Sequence, residues 1–141
     1  MIDVVNLQRK VKIDTDEIRA FTQLLILNVT DVGERAFSIA FISDSRMKQL
    51  NQLFRDKDVT TDVLSFPHEP DEFDPDKSNL GDIVISAEQA ERQAKENGLS
   101  LETEVKQLIL HGVLHLCGYD HETDTGEMNA RELKLREQVG V

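Results

Sequence analysis

Three of the four histidines in this chain fall within eleven residues, in the run HGVLHLCGYDH from His111 to His121. His111 and His115 are four residues apart, so on a helix their imidazoles lie one turn apart on the same face. Gly118 stands where a glycine can end a helix in the left-handed conformation, and that turn would bring His121 toward the first two histidines. Three neutral imidazoles with an open fourth position form the ligand set of a catalytic zinc site. The spacing therefore predicts one zinc ion per chain, bound by His111, His115 and His121.

A structural zinc site is a different kind of site, because it usually closes with four ligands that are rich in cysteine. The chain contains a single cysteine, Cys117, which we interpret as part of the core rather than as a ligand. The same single cysteine rules out an internal disulfide and fits a reducing compartment.

The histidine spacing is similar to the long zinc motif of the metzincin proteases, HExxHxxGxxH, with one difference. Gly112 replaces the glutamate that serves in those proteases as the general base. Peptide hydrolysis by that mechanism is therefore not expected here. Glycine inside a helix costs about 1 kcal/mol relative to alanine, and we expect Gly112 to leave room beside the metal.

Composition predicts a soluble globular protein with one domain spanning residues 1–141, since 39% of the residues are apolar and 30% are charged. No signal-like segment opens the chain and no apolar stretch is long enough to cross a bilayer, so we expect a cytoplasmic protein without a membrane partner. The formal net charge of −11 counts against general binding to a phosphate backbone. A local basic patch beside a metal cation can still bind RNA within such an acidic envelope.

The elements that must position the histidines can be read from periodicity and capping residues. Strands are predicted at 2–7, 36–42, 61–66 and 80–85, the third of them stopped by Pro67. Helices are predicted to begin at Asp14, at Ser43 or Asp44, at Ser86, at Ser100 and near Asp124. This order predicts an α+β (mixed α/β) fold in which about five helices pack on a small mixed four-stranded sheet.

Two helices carry apolar stripes that are expected to face the core. In the first helix the stripe consists of Ile18, Phe21, Leu24, Leu25 and Val29. In the second it consists of Met47, Leu50, Leu53 and Phe54. The far face and end of the second helix bring together the chain's one local excess of positive charge, which consists of Arg46, Lys48, Arg55 and Lys57.

Three stretches of the sequence resemble the YbeY family of metallo-endoribonucleases. They are Asn51–Lys57 leading into Thr61–Pro67, then Gly81–Ser86, and then the histidine run. The resemblance implies a zincin-like fold and a zinc-dependent, single-strand-specific endoribonuclease. It also implies a role in 3′-end maturation of 16S rRNA and in late 70S ribosome quality control. The implied partners are single-stranded RNA, the ribosome or its small-subunit proteins, and assembly factors.

By matching positions, the resemblance makes the three histidines of the run the zinc ligands and Arg55 the cation near the site. A guanidinium stays protonated and can hold two phosphate oxygens at once. The alternative is that Arg55 only pairs with Asp56 or Asp62. Asp120 is expected to orient an imidazole or to act as the base. His68 is either a proton donor to the site or a plain loop histidine.

Two other functions remain open from the sequence. The chain could be a metallohydrolase that acts on another substrate, such as a peptide. It could also be a ribosome-assembly binding module whose zinc is structural. The fourth coordination position distinguishes these functions, because a bound water or anion favours a hydrolase and a fourth protein ligand favours the structural site.

Overall fold

The computed structural model describes residues 2–68, 78–119 and 126–141, which form four strands and five helices. In chain order these are β1 (Ile2–Asn6), α1 (Thr15–Asn28), β2 (Ala36–Ile42), α2 (Asp44–Arg55), β3 (Val63–Pro67), β4 (Asn79–Ser86), α3 (Ala87–Asn97), α4 (Leu101–Leu116) and α5 (Glu127–Val139). The predicted order of elements and the mixed α/β class are both confirmed.

The four strands form one sheet in the order β1-β2-β4-β3. β1, β2 and β4 run parallel, and β3 pairs antiparallel with β4 at one edge. Pro67, which was predicted to stop the third strand, is instead its last residue and lies opposite Gly81. An edge strand tolerates proline because one side of its backbone needs no partner.

The sheet is covered on both faces. On one face, α4 packs on β3 and β4, α1 packs on β1, and α5 packs on these two helices. The main core between them includes Phe21, Leu25, Phe37, Ile39, Phe41, Ile83, Ile85, Val105, Ile109, Val113, Met128 and Leu135. On the other face, Met47 of α2 packs with Ile42 and Leu64 in a smaller cluster. The helix that carries two of the histidines, α4, therefore belongs to the larger core.

Local side-chain caps fix the start of several helices at the predicted residues. The backbone N–H of Glu17 donates to Asp14 Oδ1 at 3.1 Å. The N–H of Gln89 donates to Ser86 Oγ at 3.2 Å, and the N–H of Thr103 donates to Ser100 Oγ at 3.1 Å. For α2 the cap is Ser43 rather than Asp44. The predicted start near Asp124 lies outside the described residues, and α5 is described from Glu127.

The predicted apolar stripe of α2 is wrong in part. Leu53 and Phe54 are 74% and 59% exposed. The buried row instead runs through Met47 and Asn51, and the Asn51 amide donates to the backbone oxygen of Val59 at 2.8 Å. A polar residue thus occupies a buried position that apolar periodicity cannot detect. In α1, Leu24 was also predicted to face the core, but it is 47% exposed.

Candidate metal centre

The long helix α4 holds His111 and His115 on its partly exposed face. Apolar residues on its other faces, among them Val105, Ile109 and Val113, are almost fully buried. The two imidazoles meet edge to face, with ring centroids 4.6 Å apart. Their Nε2 atoms lie 3.0 Å from each other. Both rings therefore direct the same nitrogen toward one point, as the four-residue spacing predicted.

The distance between these two nitrogens fits a shared cation. Zinc–imidazole bonds of about 2.0–2.1 Å in tetrahedral geometry place two nitrogens about 3.3 Å apart, close to the 3.0 Å between the Nε2 atoms of His111 and His115. The same distance also suits a hydrogen bond between the rings when no cation lies between them. The distance between the two rings is therefore compatible with zinc binding, which stays a prediction.

The other predicted residues of the histidine run, Asp120 and His121, lie outside the described residues. Within residues 2–68, 78–119 and 126–141, no group of three or more His, Cys, Asp or Glu side chains could hold a metal. α4 ends at Leu116, and Gly118 has a φ of 99°. The chain therefore turns after the second histidine where glycine was expected to turn it.

A carboxylate that the sequence analysis did not identify contacts one of the two histidines. Glu132 of α5 places its Oε1 atom 2.7 Å from His111 Nδ1, on the opposite side of the ring from Nε2. Glu132 is only 8% exposed. The sequence does place Glu132 at helical spacing between Met128 and Leu135, which are both fully buried. That position could have identified it as a residue on the core face of the helix. A carboxylate on the core face of a helix is rare unless it has a partner.

Gly112 does not make room beside the metal, contrary to the expectation from the sequence. Its α-hydrogen side faces β4, where an added Cβ would lie 3.0 Å from Ile83 Cγ2 and 3.1 Å from Ile83 Cδ1. The missing side chain therefore allows α4 to approach the sheet closely. The same glycine leaves no side chain to act as the glutamate base of the metzincin motif.

Cys117 packs against the main core, as expected. Burial raises the pKa of its thiol to about 11, with a further contribution from the nearby Asp31 carboxylate. Metals bind the thiolate form of cysteine, so this side chain is a poor candidate ligand.

Arg55 is the exposed last residue of α2, on the face of the sheet opposite α4. Its neighbour Phe54 meets the ring of Phe66 in β3 edge to face at 5.2 Å. In the same strand, Ser65 Oγ donates to the backbone oxygen of Gly112 at 3.5 Å. The edge strand β3 therefore links the end of α2 to the histidine helix.

The structure does not bring Arg55 into direct contact with the two described histidines. Among the described residues, no hydrogen bond or ion pair joins Arg55 to either ring, and none joins it to Asp56 or Asp62. Asp62 instead accepts from the backbone N–H of Val63 at 2.8 Å. The alternative that Arg55 is held by these two carboxylates thus finds no support in its contacts.

His68 directly follows β3, and its backbone N–H donates to the backbone oxygen of Leu80 at 3.1 Å. Residues 69–77 lie outside the described residues. A role for His68 in the site therefore stays a prediction.

A polar cavity of about 510 Å³ adjoins His111 on the side of Glu132. Its lining also includes the carboxylates of Asp62 and Glu104 and the guanidinium of Arg136. Three carboxylates around one cavity oppose the entry of a phosphate group. This cavity is therefore a poor binding site for an RNA backbone.

No helix within the described ranges is both long enough and apolar enough to span a bilayer.

Comparison with known proteins identifies close relatives along the whole chain. A family model described as Endoribonuclease YbeY matches residues 3–140. A protein of Carboxydothermus hydrogenoformans named Endoribonuclease YbeY is 42% identical over 144 residues, which cover 100% of this chain and 99% of the relative. One of the same name from Aquifex aeolicus is 45% identical over 92% of this chain and 81% of its own length.

The fold is similar to a solved structure as well. The solution structure of TM1509 from Thermotoga maritima matches with a TM-score of 0.68 and 29% sequence identity. The match covers 99% of this chain and 89% of that one.

Proposed function

The chain belongs to the YbeY endoribonuclease family, and from that membership we propose a zinc-dependent enzyme that cleaves single-stranded RNA during ribosome maturation. It is an endoribonuclease, so its substrate is RNA and its reaction is hydrolysis of phosphodiester bonds. The observation that carries the zinc proposal is the 3.0 Å approach of the His111 and His115 Nε2 atoms on one face of α4.

In this proposal His111, His115 and His121 would hold one zinc ion and leave its fourth position open. Such an ion would lower the pKa of a bound water to about 7 and supply hydroxide at neutral pH. Gly112 has no side chain, so position 112 provides no general base of the protease kind. We propose that Asp120 orients one of the imidazoles rather than acting as the base.

Arg55 is the residue proposed to stabilise the phosphate. A guanidinium can hold two non-bridging oxygens and offset the charge that develops on them during hydrolysis. Because β3 lies between the end of α2 and α4, an RNA strand that reaches both Arg55 and the histidines would cross the β3 edge of the sheet. Such a path suits a single strand, which can bend around an edge more readily than a duplex.

The net charge of the chain favours RNA that is presented by a partner over free RNA in general. The net charge of −11 opposes tight binding to a free polyanion. We therefore propose that 16S rRNA is presented by the ribosome, with small-subunit proteins or assembly factors as partners. The proposed roles are 16S 3′-end maturation and late 70S quality control, by a single domain that works in the cytoplasm where ribosomes mature.

A cleavage assay with two forms of one RNA tests this proposal. The purified protein is incubated with a single-stranded RNA and with the same RNA annealed to its complement, each with and without added zinc. We expect cleavage of the single strand only, and only when zinc is present. Equal cleavage of the duplex, or cleavage that does not respond to zinc, would contradict the proposal.

A further inference from the structure

We propose that Glu132 is a positioning residue that fixes the tautomer of His111, so that Nε2 of the ring faces the metal. This inference rests on the proposed zinc site. It adds a residue of α5, a helix that contributes no predicted ligand. The proposal therefore makes the docking of α5 on α4 a condition for the metal site.

The contact between Glu132 and His111 determines which ring nitrogen of His111 carries the proton. Glu132 Oε1 lies 2.7 Å from His111 Nδ1, within the range of a charge-assisted hydrogen bond. An ionised carboxylate only accepts hydrogen bonds, so Nδ1 must carry the proton. A neutral ring that is protonated at Nδ1 has a lone pair at Nε2. That lone pair is what a metal ligand requires.

The second imidazole extends the same arrangement. His115 Nε2 lies 3.0 Å from His111 Nε2. If His111 Nε2 carries no proton, the metal-free pair is satisfied when His115 Nε2–H donates to it. Glu132, His111 and His115 would then form one chain of hydrogen bonds with a single direction. The tautomer of His111 can therefore be tested in protein that contains no metal.

Burial holds the Glu132 carboxylate in place. Met128 and Leu135, one turn before and one turn after it on α5, are both fully buried. Taking a carboxylate out of water costs free energy unless hydrogen bonds or charges compensate. His111 provides a hydrogen bond, and Arg136 Nη2 lies 3.9 Å from the other carboxylate oxygen. The carboxylate is thus fixed by its surroundings before any metal binds.

Glu104 provides a matched control on α4. It is 5% exposed, lines the same cavity and accepts from Asn97 Nδ2 at 3.4 Å. No described hydrogen bond joins Glu104 to His111 or His115. Its replacement removes a buried carboxylate close to the site without removing the contact under test.

The first readout is zinc affinity, measured by competition with a chromophoric chelator. Loss of a carboxylate that orients a metal-bound histidine typically weakens metal binding about 10–100-fold, and we expect this for Glu132→Ala. Glu132→Gln should lose less, because the amide oxygen still accepts from Nδ1–H. Glu104→Gln should bind zinc as tightly as the parent. Thermal melts of the metal-free variants report any loss of folding.

The second readout is the His111 tautomer, observed by ¹⁵N NMR of the metal-free protein at pH 8. The parent should carry its proton on Nδ1, and Glu132→Ala should lose this preference while Glu104→Gln keeps it. If Glu132→Ala does not fold, Glu132→Gln and the parent spectrum decide the question. Unchanged zinc affinity in a folded Glu132→Ala, or a parent proton on Nε2, would overturn the inference. A parent that binds no zinc but shows the Nδ1 tautomer would contradict the proposed function instead.

Discussion

Gly112 of α4 and Ile83 of β4 pack directly against each other. A Cβ placed on Gly112 would lie 3.0 Å from Ile83 Cγ2 and 3.1 Å from Cδ1, and Ile83 is fully buried in a central strand. The helix thus approaches the sheet at its glycine and keeps His111 and His115 on a more exposed face. The glycine of the histidine run serves the packing of the helix rather than the metal.

Replacing this glycine tests the packing. Alanine gains about 1 kcal/mol of helix propensity at position 112, but crowding in a filled core costs about 1–3 kcal/mol. Because Ile83 has no exposed surface into which it can move, we expect Gly112→Ala to reduce the free energy of unfolding by up to about 2 kcal/mol. Urea unfolding followed by circular dichroism measures the change.

A double-mutant cycle supplies the control for Gly112→Ala. Ile83→Val removes the Cδ1 atom that the new methyl group would crowd. The valine substitution should therefore cost less in the Gly112→Ala background than in the parent. Additive costs would show that the added methyl group does not crowd Cδ1 of Ile83.

Asp44 links α2 to α3 and makes stability depend on pH. Partial burial alone would raise the pKa of its carboxyl, but hydrogen bonds from Ser86, Arg92 and Thr60, together with the charge of Arg92, lower the pKa below 3.8. A lowered pKa in the folded state stabilises the protein above the unfolded-state pKa, and this contribution is lost as the pH falls through the folded-state value. Asp44→Asn should reduce stability by about 1–2 kcal/mol at pH 7.

The difference in stability between Asp44→Asn and the parent protein should therefore depend on pH. Thermal melts should show the largest difference near neutral pH and a shrinking difference below pH 3.8. Asp16→Asn is the matched control, because Asp16 lies in the first turn of α1 with its side chain 94% exposed. A difference in melting temperature that stays constant down to pH 2 would argue against a role for the Asp44 charge.

Removal of zinc should lower the melting temperature and leave the fold formed. A ligand that binds only the folded state adds about 2.7 kcal/mol when its concentration is 100 times its Kd. The main core, however, depends on apolar contacts such as those of Met128 and Leu135. Far-ultraviolet circular dichroism with and without a chelator measures both effects. Complete unfolding by the chelator would instead indicate a structural zinc.

Arg55→Lys separates phosphate recognition from metal binding. Lysine keeps the positive charge but loses the planar grip on two oxygens. Cleavage of single-stranded RNA should fall at least about tenfold, while the zinc content stays at the parent level. Arg46→Lys is the control, because Arg46 is exposed in the first turn of the same helix. If Arg55→Lys cleaved RNA as fast as the parent protein, Arg55 would have no specific role in binding the phosphate.

The parts of the structure that the sequence predicted are those that depend on neighbours along the chain. Helix starts at Asp14, Ser86 and Ser100 follow from caps that reach only three residues ahead. The facing rings of His111 and His115 follow from helical spacing alone. These features were predicted without knowledge of what packs against the helix.

The features that the sequence did not predict depend on tertiary contacts. Glu132 meets His111 from another helix, and Gly112 meets Ile83 from a strand, so neither partner could be identified from local spacing. Asn51 occupies a buried row because a loop backbone oxygen satisfies its amide. A pattern built on apolar residues cannot reveal a polar side chain that is buried for that reason.

Titration of zinc into metal-free protein, with cleavage of a single-stranded RNA measured at each step, tests the central claim most directly. We expect cleavage to rise with zinc and to level off at one equivalent per chain. His115→Ala, which lacks one of the two facing Nε2 atoms, should bind zinc far more weakly and show no cleavage over the same range. Full cleavage by metal-free protein, or parental cleavage by His115→Ala, would contradict the account.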